Sequence, residues 1–303
     1  MEGIHEAVIV YNPASGRRRG RRLAELKQAR EILARAGIES ELRSTQGRGT
    51  ATGIAREEVA RGKQMVIVCG GDGTINEVVN GLAGTRVPMA VLPAGTANVL
   101  AKELGIPWDI PRSAELIPRG TLKRIALGIV RQIKTGESRY FVSLAGAGPD
   151  GVLVYAVSLE LKERVGQFAY WMEGLRQLAT YSFPQFSVTA GSRHAAASAV
   201  IVGRTKHYGG PFRITTEADL FGEEFEVAVV TTQSRLVYLG LLPLAWLEKL
   251  RDRKKVRFWK TNRLRCDAID DPKVYAQVDG ESVGKLPIEF EIVPDALTFV
   301  VPA

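Results

Sequence analysis

A chain of 303 residues with 45% hydrophobic and 24% charged residues has the proportions of a globular protein and material for two domains, which excludes a disordered or fibrous class. Its formal net charge of +8 points to anionic partners, whether a membrane surface, nucleic acid or phosphorylated ligands. Two cysteines, Cys69 and Cys266, exclude a disulfide scaffold; with no signal-peptide pattern in Met1–Glu6, a reduced, cytoplasmic setting is expected.

Ala7 to Tyr11 reads as a strand. A helix is predicted from Arg18 to Ala36, with Leu23, Leu26, Leu33 and Ala36 at helical spacing and Gly37 as its stop. A second strand is expected over Glu39 to Ser44, a helix over Ala51 to Arg61, and a third strand over Met65 to Cys69. There the chain opens into Gly70-Gly71-Asp72-Gly73-Thr74, and a helix follows to about Gly84. Thr74 and Glu77 have the spacing of a capping box, which predicts that Thr74 caps this helix. Glycines let backbone N–H groups converge on an anion, and a helix N-terminus adds partial positive charge. An aspartate there repels phosphate, unless Asp72 holds a metal that bridges phosphates or takes a proton from an attacking hydroxyl. A tight strand–turn–helix connection is the plain alternative.

Pro88 to Leu92 gives a fourth strand, and a helix from Ala97 ends at Leu104-Gly105-Ile106-Pro107. Strand–helix alternation of this kind implies a parallel sheet with ligands at the carboxyl ends of its strands. From about Leu122 the rhythm changes to β-rich runs, which predicts a mainly antiparallel β-domain interrupted by one amphipathic helix from Val154 to Tyr181. Residues 1–120 and 121–294 are the expected domains, with 295–303 able to rejoin the first. The apolar stretch from Leu236 to Leu247 contains Gly240 and Pro243 and is too short to span a bilayer.

On a parallel sheet the loops Asn12-Pro13-Ala14-Ser15-Gly16, Ser44-Thr45-Gln46-Gly47, Gly70–Thr74 and Pro93-Ala94-Gly95-Thr96-Ala97-Asn98 share one edge. Asn12, Thr45, Thr74, Thr96 and Asn98 can then donate to one polyphosphate and nucleoside. Among Arg17, Arg18, Arg19, Arg21 and Arg22, one arginine is expected to meet phosphate and the rest to be solvated; nucleic acid is not the expected partner. The run Arg251 to Lys260 has two readings, a headgroup-binding surface or a charged strand edge with Trp259 in the core. His5, His194 and His207 have no metal-ligand spacing.

The block Asn12–Gly16, the block Gly70-Gly71-Asp72-Gly73-Thr74-Ile75-Asn76-Glu77 and the block Pro93–Asn98 resemble, in order and spacing, the catalytic domain of the diacylglycerol kinase and sphingosine kinase superfamily. Ser143 to Asp150 and Val278-Asp279-Gly280-Glu281 resemble two later motifs of that family, so the resemblance runs through nearly the whole chain. It implies an α/β nucleotide domain, similar to that of NAD kinase, followed by a β-sandwich. It also implies an ATP-dependent lipid kinase that uses Mg2+ and visits an anionic membrane surface to phosphorylate a lipid hydroxyl. By that resemblance Asn12, Ser15, Thr45, Gly70 to Asn76 (with Ile75), Gly95, Thr96 and Asn98 contact ATP, and Asp150 orients the acceptor. Glu281 is the proton acceptor, with Asp72 its competitor for that role or the ligand of the catalytic Mg2+. Taken alone, Asp279-Gly280-Glu281 is an ordinary β-turn. One departure stands out: bacterial relatives carry an Asp-Gly that helps bind a structural magnesium where this chain has Leu220-Phe221-Gly222-Glu223, with Asp219, Glu223 and Glu224 out of register. The alternatives are an NAD kinase or sugar-phosphate kinase, or a catalytically silent nucleotide- or lipid-binding module.

Overall fold

The computed structural model describes residues 3–16, 19–149, 151, 181–209, 212–269 and 273–302. The predicted helix from Val154 to Tyr181 therefore lies outside the described residues, except for its last residue. Contacts divide the chain into two compact units, Met1–Leu127 with Pro294–Ala303, and Gly128–Val293.

The first unit is built on parallel strands β1 (Glu6–Tyr11), β2 (Glu39–Ser44), β3 (Met65–Gly70) and β4 (Met89–Pro93), in the order β2-β1-β3-β4. Every residue of β3 is buried, as expected of a central strand covered on both faces. Helix α1 (Arg22–Arg35) follows a 3-10 turn at Arg19–Arg21 and packs with α5 (Ile110–Leu116), whereas α2 (Thr50–Ala60) packs with α3 (Asp72–Leu82). The short α4 (Val99–Glu103) ends at Gly105, whose φ is +65°. Leu26, Ala29 and Leu33 of α1 join Ile9, Ile67 and Leu92 in one core. Two expectations for α1 fail: Leu23 is 56% exposed and Ala36 lies outside the helix, because the turn at Arg19–Arg21 rotates the buried face onto Arg22, Leu26, Ala29 and Leu33. Helix α5 has no counterpart among the predicted elements. Asp109 caps it by accepting from Arg112 N, and a proline stands in its first turn.

The chain passes between the units through β5 (Thr121–Gln132) and β18 (Ile288–Val301). Strand β18 runs unbroken past Pro294, and its end pairs in parallel with β4 at Phe299 and Met89. In the second unit β7 (Leu144–Ala147), β10 (Ala199–Gly203), β13 (Phe225–Val230), β14 (Val256–Thr261), β16 (Tyr275–Val278) and β17 (Glu281–Lys285) form one antiparallel sheet in the order β14-β13-β10-β7-β16-β17. A second layer contains β6 (Ser138–Phe141), β8 (Phe186–Ala190), β9 (Arg193–Ala197) and β15 (Arg263–Ala268), with the unit's parts of β5 and β18. Phe141 of β6 stacks on Phe225 at 5.7 Å and meets Phe290 edge-on at 6.2 Å, so aromatic rings from both layers meet in the sandwich core. Gly128 makes room for this ring, since a Cβ there would lie 2.3 Å from Phe141 Cζ. A two-stranded ribbon, β11 (His207–Gly209) with β12 (Phe212–Arg213), and helix α6 (Arg235–Trp246) complete the described elements.

Candidate active site

In the first unit β1 pairs in parallel with both β2 and β3, so the order of strand addition switches sides between β1 and β3, the place where open α/β sheets take ligands at the strands' carboxyl ends. All four predicted loops lie on this edge. Asn12 N donates to Cys69 O at 3.0 Å, Asn12 Oδ1 accepts from Ala14 N, and Asn12 Nδ2 donates to Thr74 Oγ1 at 3.3 Å, so the first loop is tied to the third. Thr45 N donates to Tyr11 O and Ala94 N to Gly70 O, which brings in the second and fourth.

Glycines permit backbone-to-backbone contact between the loops. A Cβ on Gly95 would lie 2.4 Å from Gly71 Cα, and one on Gly16, whose φ is +69°, would lie 2.1 Å from Ala94 O. The first N–H groups of α3 have no intrahelical acceptor and point into this edge, where the helix end also carries partial positive charge. Gly71, Asp72 and Gly73 are half-buried and Thr96 is exposed, so a ligand can reach them.

Asp72 does more than was expected of it. Its two carboxylate oxygens accept from Asn98 N at 2.9 Å and Val99 N at 2.7 Å, so it caps α4 and holds the third loop against the fourth. Asn98 takes the left-handed conformation, is fully buried, and donates from Nδ2 to Gly70 O at 2.9 Å. Its Oδ1 is buried with no hydrogen-bond partner, beside the space that a side chain on Gly95 would fill.

The capping box is not formed. Helix α3 begins at Asp72 with Gly71 as its N-cap, and Thr74 is already inside it. Glu77 instead reaches the neighbouring helix, where its oxygens accept from Gly49 N at 2.7 Å and Ala51 N at 3.0 Å at the start of α2. Ile75 and Asn76 turn their side chains into the interior, and Ile75 N donates to Gly71 O at 3.0 Å.

Of the arginine run, Arg17 and Arg18 lie outside the described residues. Arg22, one of the five expected either to meet phosphate or to be solvated, is buried; its guanidinium donates to Ser15 O at 3.0 Å and Ala94 O at 3.4 Å and reaches Cys69 Sγ at 4.0 Å. It ties the first and fourth loops together from behind. A local pattern of basic residues cannot separate this arginine from its neighbours.

In the second unit Asp279 and Gly280, with φ of +45° and +79°, form the two-residue turn between β16 and β17, and Glu281 is the first residue after it. Asp279 carries the structural work of this motif. Its carboxylate accepts from Val142 N, Ser143 N and Leu144 N at 2.9, 3.0 and 2.9 Å, fixing the start of β7. Glu281 has a side chain only 10% exposed, paired through Oε2 with Arg139 of β6 at 2.8 Å. Asp150 lies outside the described residues.

The turn that would hold a structural metal is occupied by protein. Arg204 is fully buried and donates to Gly222 O at 2.8 Å and Leu220 O at 2.6 Å. Burial lowers its pKa to about 10 against the opposing pull of Asp219 and Glu223, which leaves it cationic at neutral pH. A divalent ion at the same carbonyls would face that charge, so these residues do not fit a metal. Among the described residues no group of three or more His, Cys, Asp or Glu side chains could hold one. Trp259 is 8% exposed and lies in the core, but β14 takes in only the Val256–Lys260 part of the Arg251–Lys260 segment, and Arg253, Lys254 and Lys255 stand exposed ahead of it.

Comparison with known proteins agrees with this architecture. Residues 6–130 match the family model of the diacylglycerol kinase catalytic domain, and residues 144–301 that of the YegS C-terminal NAD kinase beta sandwich-like domain. The chain is 30% identical over 292 residues to a diacylglycerol kinase of Bacillus subtilis (strain 168), covering 95% of this chain and 93% of that one. It is 31% identical over 289 residues to a diacylglycerol kinase of Staphylococcus aureus (strain MRSA252), covering 94% and 88%. A solved diacylglycerol kinase structure from Bacillus anthracis str. Sterne shares the fold, with a TM-score of 0.75 at 20% identity over 99% of this chain and 98% of that one. The chain therefore belongs to the diacylglycerol kinase family and is a lipid kinase.

Proposed function

We propose that this chain transfers the γ-phosphate of ATP to the free hydroxyl of a diacylglycerol at a membrane surface. The observation that carries the reading is the set of four loops on one parallel-sheet edge, stitched together by Asp72, Asn98 and Asn12, in a chain whose relatives of known name are diacylglycerol kinases over nearly their full length. Phosphoryl transfer asks the protein for positioning and charge neutralisation more than for covalent chemistry. In this reading backbone N–H groups of Gly70, Gly71, Gly73, Thr74, Gly95 and Thr96 receive the phosphates, and Asn12, Ser15 and Thr45 line the same edge. Ile75, Asn76 and Asn98 support the loops from inside. Where Mg2+ accompanies the nucleotide, Asp72 is the carboxylate that would hold it, and the charge the ion supplies would offset that of the phosphates. Glu281 accepts the proton of the acceptor hydroxyl, with Arg139 orienting its carboxylate, and Asp150 orients the acceptor. The engagement of both Asp72 oxygens with backbone N–H groups supports Glu281 over Asp72 as the base. Among the described residues no helix is long and apolar enough to cross a membrane.

The test is incubation with γ-labelled ATP and a native lipid extract in mixed micelles, followed by thin-layer separation. Labelled phosphatidic acid is the expected product. Glu281→Gln is expected to lower kcat by ~10²- to 10⁴-fold while nucleotide binding persists, and Asp72→Ala to abolish transfer. Undiminished transfer by Glu281→Gln would remove it as base, and a labelled product other than phosphatidic acid would change the acceptor.

A further inference from the structure

Helix α6 is apolar on both sides. On its inner side Tyr238 and Leu241 pack against Ala199, Ala228, Val230 and Val256 of the sheet, and Tyr238 stacks on Phe183 at 4.2 Å and hydrogen-bonds Ser198 Oγ at 2.8 Å. The outer side presents Leu236, Leu239, Leu242, Trp246 and Leu247, which are 80, 45, 37, 62 and 55% exposed. At about 100° per residue these five fall within one arc of roughly 140°, away from the packed side. No residue from Leu236 to Leu247 is charged. Single exposed apolar residues are ordinary on a protein surface, whereas five on one helix face mark a contact surface.

The surroundings identify what that surface meets. Val256, part of the cluster beneath α6, belongs to β14. Between Lys249 and Lys260 the sequence carries seven basic residues and one acidic one. Arg251 is drawn into pairs with Glu217 and Glu226, while Arg253, Lys254 and Lys255 are exposed. An apolar helix face flanked by exposed cations has the chemistry of an anionic lipid interface, where acyl chains take the apolar side chains and phosphates take the cations. A second copy of this chain is a poorer match, because a twofold contact through α6 would bring each basic run toward its own copy.

We propose that α6 docks this chain on an anionic phospholipid bilayer, with its outer face entering the interface and the Arg253–Lys255 run meeting lipid phosphates. This deepens the lipid-acceptor reading and rests on it for its purpose, but the docking itself is measured without catalysis.

The experiment is sedimentation of the full chain with vesicles of equal parts phosphatidylcholine and phosphatidylglycerol, beside vesicles of phosphatidylcholine alone. The wild type is expected to bind the mixed vesicles preferentially, and more weakly as salt rises. Leu239→Glu/Trp246→Glu is expected to lose at least about tenfold in partition, and Arg253→Glu/Lys254→Glu/Lys255→Glu at least about fivefold per residue. Both variants change exposed side chains, and an unchanged denaturation midpoint verifies that they fold. Brominated acyl chains should quench the wild type's tryptophan fluorescence, and Trp246→Phe should remove most of that quenching. Transfer to a short-chain diacylglycerol dispersed in water should persist in every variant. Its absence from the wild type as well would count against the kinase reading and leave the sedimentation result standing. No preference for anionic vesicles, undiminished binding by the glutamate variants, or a dimer that those variants split without loss of vesicle binding would each overturn the docking proposal.

Discussion

Asp72 and Asp279 are the two aspartates of Gly-Asp-Gly and Asp-Gly turns, and each spends its carboxylate on backbone N–H groups of another segment. A carboxylate that accepts two or three such bonds converts a flexible glycine turn into a fixed one. Arg204 does the converse with charge reversed, since its guanidinium satisfies two carbonyls of the Leu220–Gly222 turn. Arg204→Met is therefore expected to lower unfolding stability by about 3 kcal/mol, read from the urea midpoint, by leaving those carbonyls without their cation. The wild type should show one midpoint in Mg2+ and in chelator alike; a chelator-sensitive midpoint would restore a metal to this turn. Such roles are hard to read from a sequence. Asp72 is conspicuous because glycines surround it, but its partners at Asn98 and Val99 are chosen by the fold.

Between elements, Glu77 shows how a correct pattern can carry the wrong partner. Its spacing from Thr74 fits a capping box, yet α3 begins two residues earlier and α2 packs beside it, so the carboxylate serves the neighbouring helix. Glu77→Ala is expected to cost about 2 kcal/mol by removing the acceptor of the buried Ala51 N–H and the partly buried Gly49 N–H, measured by chemical denaturation, with Glu77→Gln recovering part of the loss. Helix α6 was legible only as an apolar stretch. A helix apolar on both sides has no 3.6-residue alternation, and Gly240 and Pro243 further weaken the signal. The strands β1, β3 and β4 were legible because their apolar runs end in glycine or proline punctuation, and these signals are local.

Over the whole molecule, both cysteines lie buried in central positions of their units, Cys69 at the end of β3 and Cys266 in β15. Burial raises the Cys69 thiol from 9.0 to about 12 and pushes Cys266 up as well. The unfolded chain then releases these protons at lower pH than the folded one, so the stability they contribute is complete below pH 9 and falls as pH rises toward 12. Denaturant midpoints should decline from about pH 9 upward, and Cys69→Ala/Cys266→Ala should flatten that decline; an identical slope in the variant would refute the assignment. Thiol reagents should label neither residue in the native state at neutral pH, because access requires opening of the core.

The α/β character of the first part, the β-rich character of the second and the glycine loops of the candidate site are legible in the order of the amino acids alone. Each of these is written in the composition and period of a few consecutive residues. Which carboxylate holds which loop, that Arg22 and Arg204 are internal cations, and that α6 keeps one apolar face toward solvent emerge with the folded chain. Those facts depend on contacts between residues tens of positions apart, where the energy of a buried hydrogen bond or ion pair is set by burial and geometry that no local pattern contains.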